Sequence, residues 1–558
     1  KMRYSIISFL LFFLLSSCTK NDDNSTTSKP TDLKYTLSVS SSEGGTVSNS
    51  GGSFQSGTKV SITATPNEGY RFLNWSDGSL DMIRNIVIDK EISITAIFEK
   101  LHYSLKQSEV LLDPNISSSS FIQNIPRMFG QWNIPSNITY EYNNQNYLLI
   151  AGATCGGGEC DGVESNQNVP KMPSLLFRYD NNLGWKFIKE FNDATTWNIR
   201  NFDKKGDYIV MGDGSEIGNI KNWKGDAYFG ELKDDDIIWT RINKDETRSY
   251  QHDISLGDLD GDDKMDVIVA PTFFDSDRNL YGMYKNVNGV FELKSSLTFM
   301  DGTDLENGDS EIDKLSGMGL SCQIDDIDND GVNEIIYSGF ETYVFKFNGE
   351  KYQLHWTGDY KLLDPNSSPR SIGSTMINFY DVNNDNKKDM LISREFPVNN
   401  TFHHSFDVWI GNGDGTFEPQ SVTIISDILV CREFNVIDAN NDGFLDVILR
   451  ANFGYYTYDG VTTDRDYNWG IFFDKPEPKG VILNELIWIN DGTGKYTMYD
   501  EKTLYVDKIK PYQLIPYSKD NKLHFIGLNY NPINNPMDVQ LKDGKIPINF
   551  YDIELDIN

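Results

Sequence analysis

Four short segments of this 558-residue chain set oxygen-bearing side chains at positions 1, 3, 5 and 9 of a loop. They are Asp258, Asp260, Asp262 and Asp266; Asp326, Asp328, Asp330 and Glu334; Asp381, Asn383, Asp385 and Asp389; and Asp438, Asn440, Asp442 and Asp446. A hard cation such as Ca²⁺ takes about six to eight oxygens at about 2.3–2.6 Å in a flexible cage. Alternate residues of a tight loop supply such a cage, together with a backbone carbonyl near position 7 and a carboxylate returning from the next strand. Gly261, Gly331 and Gly443 suit the sharp bends this requires. None of the loops carries the EF-hand's glutamate at its twelfth position, and each runs directly into an apolar strand such as Val267-Ile268-Val269. An EF-hand is therefore not expected. One acidic loop alone would be an ordinary solvated turn; four on a repeating period ask for a common task.

The elements that must position these loops are read from that period. The first positions, 258, 326, 381 and 438, lie 55 to 68 residues apart, which means stacked supersecondary units. Weaker echoes extend the array: a shortened loop from Asn201 to Asp207, and bare strands at 146–151 and 522–527. Strand starts near 146, 207, 266, 334, 389, 446 and 522 give seven units. A second signature recurs downstream of the loops, at 286–291, 347–352, 411–417 and 490–496, as a Gly-containing hairpin turn ending on Phe or Tyr. This combination resembles the FG-GAP/VCBS repeat family. The resemblance implies an all-β fold, a seven-bladed β-propeller over residues 137–558, with Ca²⁺ in loops that join the two inner strands of a blade. The run Ile546–Leu555 is expected to close the ring.

Ahead of the array, residues 35–99 alternate in short β-type runs separated by Gly44-Gly45, Gly51-Gly52 and Asn67-Glu68-Gly69. The order GGTVS, SGTKVSITATPNEGYRFLNWSDG, ISITAIFEK resembles the Listeria–Bacteroides (internalin B-type) repeat, which implies a stalk or spacer module. Trp75 is expected in its core rather than on its surface as a sugar platform. Residues 100–136 are expected to be a linker.

Residues 1–18 combine Lys1 and Arg3 with an apolar run from Ile6 to Leu15, too short to cross a bilayer as a helix. Leu15-Ser16-Ser17-Cys18 resembles a bacterial lipobox, which implies signal removal and lipid on Cys18. The polar, acidic tether of residues 19–34 resembles the surface-export signal of Bacteroidetes lipoproteins, so an outer-membrane, cell-surface location is expected. Cys155 and Cys160 could close a small loop as a disulfide or remain two thiols, while Cys322 and Cys431 sit in apolar, core-like runs. The composition, 39% hydrophobic and 24% charged, suits a globular chain. Its net charge of −32 repels phosphate backbones, which argues against nucleic acid as partner.

If the cation loops occupy one end of the units, connections leaving the second strand emerge at the other. Unusual residues collect there: Trp223; Phe273, Phe274 and Arg278; His403 and His404; and an insertion from about Asn452 to Asn484 holding Tyr455, Tyr456, Tyr458, Tyr467 and Trp469. Aromatic rings with polar handles suit stacking on sugar faces. The same rings could equally pack a small core of their own. A weaker constellation, Arg248, Tyr250, His252 and His403, with Arg370 nearby, would suit a lyase acting on acidic polysaccharide. The reading that follows is a lipid-anchored surface protein whose calcium-stabilised propeller binds carbohydrate. The alternatives are a polysaccharide lyase or an adhesin for a cell-surface protein.

Overall fold

The computed structural model describes residues 33–67, 69–112, 137–151, 171–196, 199–213, 225–243, 251–271, 282–294, 321–338, 341–349, 352–358, 374–398, 401–426, 434–452, 481–506, 513–530 and 541–557. Among them the regular structure is all β apart from one short 3₁₀ turn at Asn484–Leu486. The chain forms two compact units, residues 1–101 and 102–558.

The first unit holds a four-stranded and a three-stranded sheet. Lys34–Ser41 pairs with Gly51–Gln55 on one side and, in parallel, with Ile92–Lys100 on the other, which in turn pairs with Tyr70–Trp75. Thr58–Pro66 lies between Gly45–Val47 and Ile83–Ile88. Period-two alternation puts Val60, Ile62 and Ala64 inside with Leu37, Ile94 and Ala96. Trp75 is fully buried in this core, and its indole N–H donates to the Asp81 carbonyl at 2.8 Å. It is a packing residue, as expected from the sequence.

Among the described residues, the second unit opens with six antiparallel meanders, each of four strands in chain order. The first sheet is Asn137–Tyr142, Gln145–Ile150, Met172–Asp180 and Gly184–Thr196. The second is Ile199–Lys205, Tyr208–Asp213, Ala227–Lys233 and Asp236–Arg241. The third is Gln251–Gly257, Asp266–Pro271, Gly282–Val287 and Val290–Lys294. The fourth is Ser321–Asp325, Glu334–Ser338, Thr342–Phe347 and Tyr352–Gly358. The fifth is Ser374–Tyr380, Asp389–Val398, Thr401–Gly411 and Phe417–Ser426, and the sixth is Phe434–Ile437, Asp446–Leu449, Ile487–Asn490 and Tyr496–Met498. Six of the seven unit starts expected from the sequence fall on, or within a residue of, the second strand of a sheet, and the seventh falls on Lys522–Tyr530.

The last sheet departs from chain order. Gln513–Lys519, Lys522–Tyr530 and Ile546–Leu555 are followed outward by Tyr103–Leu112, from the beginning of the unit. The expected linker is thus corrected over this stretch: residues 103–112 are an edge strand whose Val110 and Leu112 are buried. Its partner Ile546–Leu555 is the fourth of five strands in that sheet, whose other edge is Ala451–Asn452 beside Gln513–Lys519. Residues 113–136 lie outside the described set.

Buried side chains show how the sheets meet. One cluster joins the first and second sheets through Leu149, Leu176, Ile209 and Trp239. Others join the second to the third, the third to the fourth, and the fourth to the fifth. A large cluster links the fifth, sixth and last sheets, and another packs Ile526 and Phe550 of the last against Phe177 and Leu148 of the first. The packing therefore returns to its start. Consecutive four-stranded meanders packed face to face around a closed circuit define a β-propeller.

Candidate metal loops and the face opposite them

Each of the four acid loops joins the first strand of its sheet to the second, in the third, fourth, fifth and sixth sheets. Their backbones repeat. Position 4 is left-handed in all four (Gly261 φ 74°, Asn329 59°, Asn384 59°, Asn441 57°), and so is position 6 (Asp263 62°, Gly331 88°, Asn386 64°, Gly443 91°). Only Gly, Asn and Asp visit that region readily, so these residues are chosen by conformation as well as polarity. From the sequence, only the glycines carried that signal.

The first-position carboxylate organises the turn. Asp258 accepts backbone N–H bonds from Asp260, Gly261, Asp262 and Asp263 at 2.8–3.2 Å. Asp326 accepts from Asp330 and Gly331, Asp381 from Asp385 and Asn386, and Asp438 from Asp442 and Gly443. The ninth-position carboxylate ties the loop to the sheet. It accepts from the N–H of position 2 in each case: Leu259, Ile327, Val382 and Ala439, at 2.8–3.0 Å. In three loops its second oxygen accepts from the third strand, at Asn286, Gly411 and Asn490.

Glu334 is the exception. Its Oε1 accepts no hydrogen bond and faces the Lys346 ammonium at 3.6 Å, while Oδ1 of Asp328 is buried without a hydrogen-bond partner. Carboxylate oxygens of Asp326, Asp328 and Glu334 lie within 4.8 Å of one another, and so do those of Asp258, Asp260 and Asp262. Burial pushes the ninth-position carboxyls upward: Glu334 to about 7, Asp389 and Asp446 to about 6, and Asp266 in the same direction. Neighbouring loop carboxylates add to the rise, as expected of acids gathered without enough positive charge. Converging carboxylate oxygens, one of them a buried acceptor with no hydrogen bond, fit a hard divalent cation. The residues that would hold it are those at positions 1, 3, 5 and 9.

The loops are also chained to one another. Asn333 Nδ2 donates to the Asp258 carbonyl at 2.6 Å, Asn329 to Asn386 at 3.5 Å, Asn384 to Gly443 at 3.3 Å, and Asn490 to Val382 at 2.7 Å. Tyr352, the last residue of one hairpin signature, donates its hydroxyl to the Leu259 and Asn333 carbonyls, both at 2.9 Å. That signature is therefore more than a turn. Its leading Asn and closing aromatic brace the acid loops, a role sequence reasoning missed although Asn286, Asn490, Tyr352 and Tyr496 all stand in the recurring motif.

Antiparallel topology fixes what lies at the other end of the sheets. His252 is at the start of the first strand of the third sheet, and His403 and His404 are near the start of the third strand of the fifth. Both positions are at the end remote from the acid loops. The insertion in the sixth sheet is rooted there too: Ala451–Asn452 pairs with Gln513 and Leu514, and Val481–Ile482 with Tyr505 and Val506. Arg248, Tyr250, Tyr455, Tyr456, Tyr458, Tyr467 and Trp469 lie outside the described residues, as do Cys18, Cys155, Cys160 and Cys431. Cys322 is a buried free thiol in the fourth sheet.

Residues 35–102 match the family model for a divergent InlB B-repeat domain, in agreement with the resemblance of that segment. No curated protein matches the chain at a significant level. Among solved structures, the chain is similar to a six-bladed β-propeller fungal lectin of Aleuria aurantia with a fucose recognition mode, at 10% identity and TM-score 0.29, covering 71% of this chain and 97% of that one. It is also similar to a Saccharomyces cerevisiae assembly of Dbp5 with Nup159 and Gle1, at 8% identity and TM-score 0.26, covering 81% and 96%. A third is a family 117 glycoside hydrolase of the marine bacterium Zobellia galactanivorans, at 8% identity and TM-score 0.27, covering 82% and 92%. Likenesses this low in identity and superposition carry nothing about ligand or chemistry.

Proposed function

We propose that this chain is a lipid-anchored surface protein in which an InlB-type module carries a seven-bladed, calcium-stabilised propeller of FG-GAP/VCBS type that binds carbohydrate. Cys18 is its anchor, and residues 19–34 its tether. Ca²⁺ is held by the loops beginning at Asp258, Asp326, Asp381 and Asp438. The reading is carried by one arrangement: four loops with the same left-handed positions and the same carboxylate clamp at one end of the sheets, and the aromatic insertion rooted at the other. A cation at one end stiffens the inner strands and leaves the opposite end free to vary, which is where binding surfaces are built on rigid scaffolds. Tyr455, Tyr456, Tyr458, Tyr467 and Trp469 supply the stacking faces.

Affinity electrophoresis of the full protein in gels containing neutral and acidic polysaccharides, with calcium present, tests this. Retardation by one glycan class, reduced several-fold in mobility shift by Trp469→Ala and with chain length unchanged, is the expected result. Products absorbing in the ultraviolet, abolished by His252→Ala, would replace the binder with a lyase. No retardation by any glycan would replace carbohydrate with a protein partner.

A further inference from the structure

The residue across the strand pair from the ninth position of each acid loop separates the four loops into two kinds. Continuing the strand register by one residue places Lys285 opposite Asp266, Lys346 opposite Glu334, Ile410 opposite Asp389 and Ile489 opposite Asp446. The third loop position changes in step. It is Asp260 and Asp328 where the cross-strand residue is lysine, and Asn383 and Asn440 where it is isoleucine.

The contacts explain the pairing. The Lys285 ammonium pairs with Asp260, and the Lys346 ammonium pairs with Asp328. Lys346 also reaches Asp330 at 3.2 Å and Glu334 at 3.6 Å, so it lies where carboxylates of positions 3, 5 and 9 converge. Ile410 and Ile489 instead pack on the apolar cluster between the fifth, sixth and last sheets. Counting the ligand side chains and the cross-strand residue, four carboxylates with one ammonium and three carboxylates with none both come to a charge of −3.

We infer that Lys285 and Lys346 are built-in cations that compete with calcium in the loops beginning at Asp258 and Asp326, whereas the loops beginning at Asp381 and Asp438 rely on the metal alone. This rests on the calcium reading proposed above. An ammonium offers three donors on a flexible four-carbon stem, so it can neutralise converging carboxylates yet swing aside. It cannot share their cage with Ca²⁺. Metal entry at the first two loops therefore displaces a lysine, and metal loss leaves those loops still held together. At the other two, metal loss leaves carboxylates facing each other with no cross-strand charge between them.

Calorimetric titration of the full chain with calcium, paired with melting curves in chelator, tests the inference on Lys346→Ile and Ile410→Lys. Lys346→Ile is expected to raise calcium affinity at one site by about tenfold or more, since the competing, half-buried ammonium is gone. Ile410→Lys is expected to weaken one site by a similar factor. In chelator, Lys346→Ile melts below the wild type, because Glu334 loses its counter-charge, and saturating calcium restores it. Titrations that are identical in wild type and both variants overturn the inference while leaving the calcium reading intact. So does a loss of stability in Lys346→Ile that calcium does not repair. A wild-type chain that takes up no calcium overturns the calcium reading itself, and this inference with it.

Discussion

Val110 pairs with Ile548 across an antiparallel strand pair that joins the two ends of the larger unit. Both side chains are buried in the cluster shared by the first and last sheets, together with Leu112, Leu148 and Phe550. A ring of sheets keeps an open seam unless strands from both ends of the unit share its last sheet, and the strand Tyr103–Leu112 provides this closure. The consequence is a boundary that matters experimentally.

A chain beginning at His102 should unfold cooperatively as one unit. One beginning at Asn137, where the repeat pattern first becomes recognisable, should melt at lower temperature and aggregate, because Ile546–Leu555 becomes an unpaired edge. Leu112→Ala should cost about 2–5 kcal/mol in denaturant unfolding. Equal stability of the two truncated chains would contradict the closure.

Left-handed loop positions give a second prediction. Gly443 has φ 91°, and a methyl group at its Cα would meet nothing within 4 Å, so alanine there brings backbone strain and no steric clash. Gly443→Ala should destabilise the protein by about 1–2 kcal/mol, read as a shifted urea midpoint with unchanged slope. Asn441→Gly should be close to neutral by comparison. A neutral Gly443→Ala would mean that the loop relaxes to another shape.

Much of this was legible in the sequence because the signals are local. The apolar strand after each acid loop, the turn residues and the carboxylate spacing all fall within a few residues of each other, so seven strand starts and four hairpins were found where the structure has them. Tyr103–Leu112 was not found, since its partner lies more than four hundred residues away and nothing local names it. Lys285 and Lys346 were missed for a related reason. Their relation to the acid loops exists only once cross-strand register is known, and a lysine in a strand reads from sequence as a solvated face.

A third prediction concerns Asp253, fully buried on the first strand of the third sheet. It accepts from Asn201 Nδ2, the Ile254 N–H, Ser321 Oγ and the Cys322 N–H at 2.8–2.9 Å, lacing three consecutive sheets. Burial outweighs these donors and pushes its carboxyl from 3.8 up to about 7. The folded state then holds a proton that the unfolded state has released between those values, so this group's contribution is present at low pH and is lost as pH rises toward 7. Stability of the wild type relative to Asp253→Asn should fall over that window. A difference that stays flat with pH, or rises, would contradict the assignment.

The central claim is that the four acid loops hold calcium as part of the folded structure, and thermal unfolding of the full protein in chelator and in about 10 mM calcium tests it most directly. With dissociation constants of about 10⁻⁴–10⁻³ M, typical of extracellular sites, each occupied loop adds about 1.4–2.7 kcal/mol by mass action. The melting temperature should therefore rise by several degrees with calcium, and rise less when Asp385→Ala and Asp442→Ala are combined. A melting temperature that is the same in chelator and in calcium would contradict the claim.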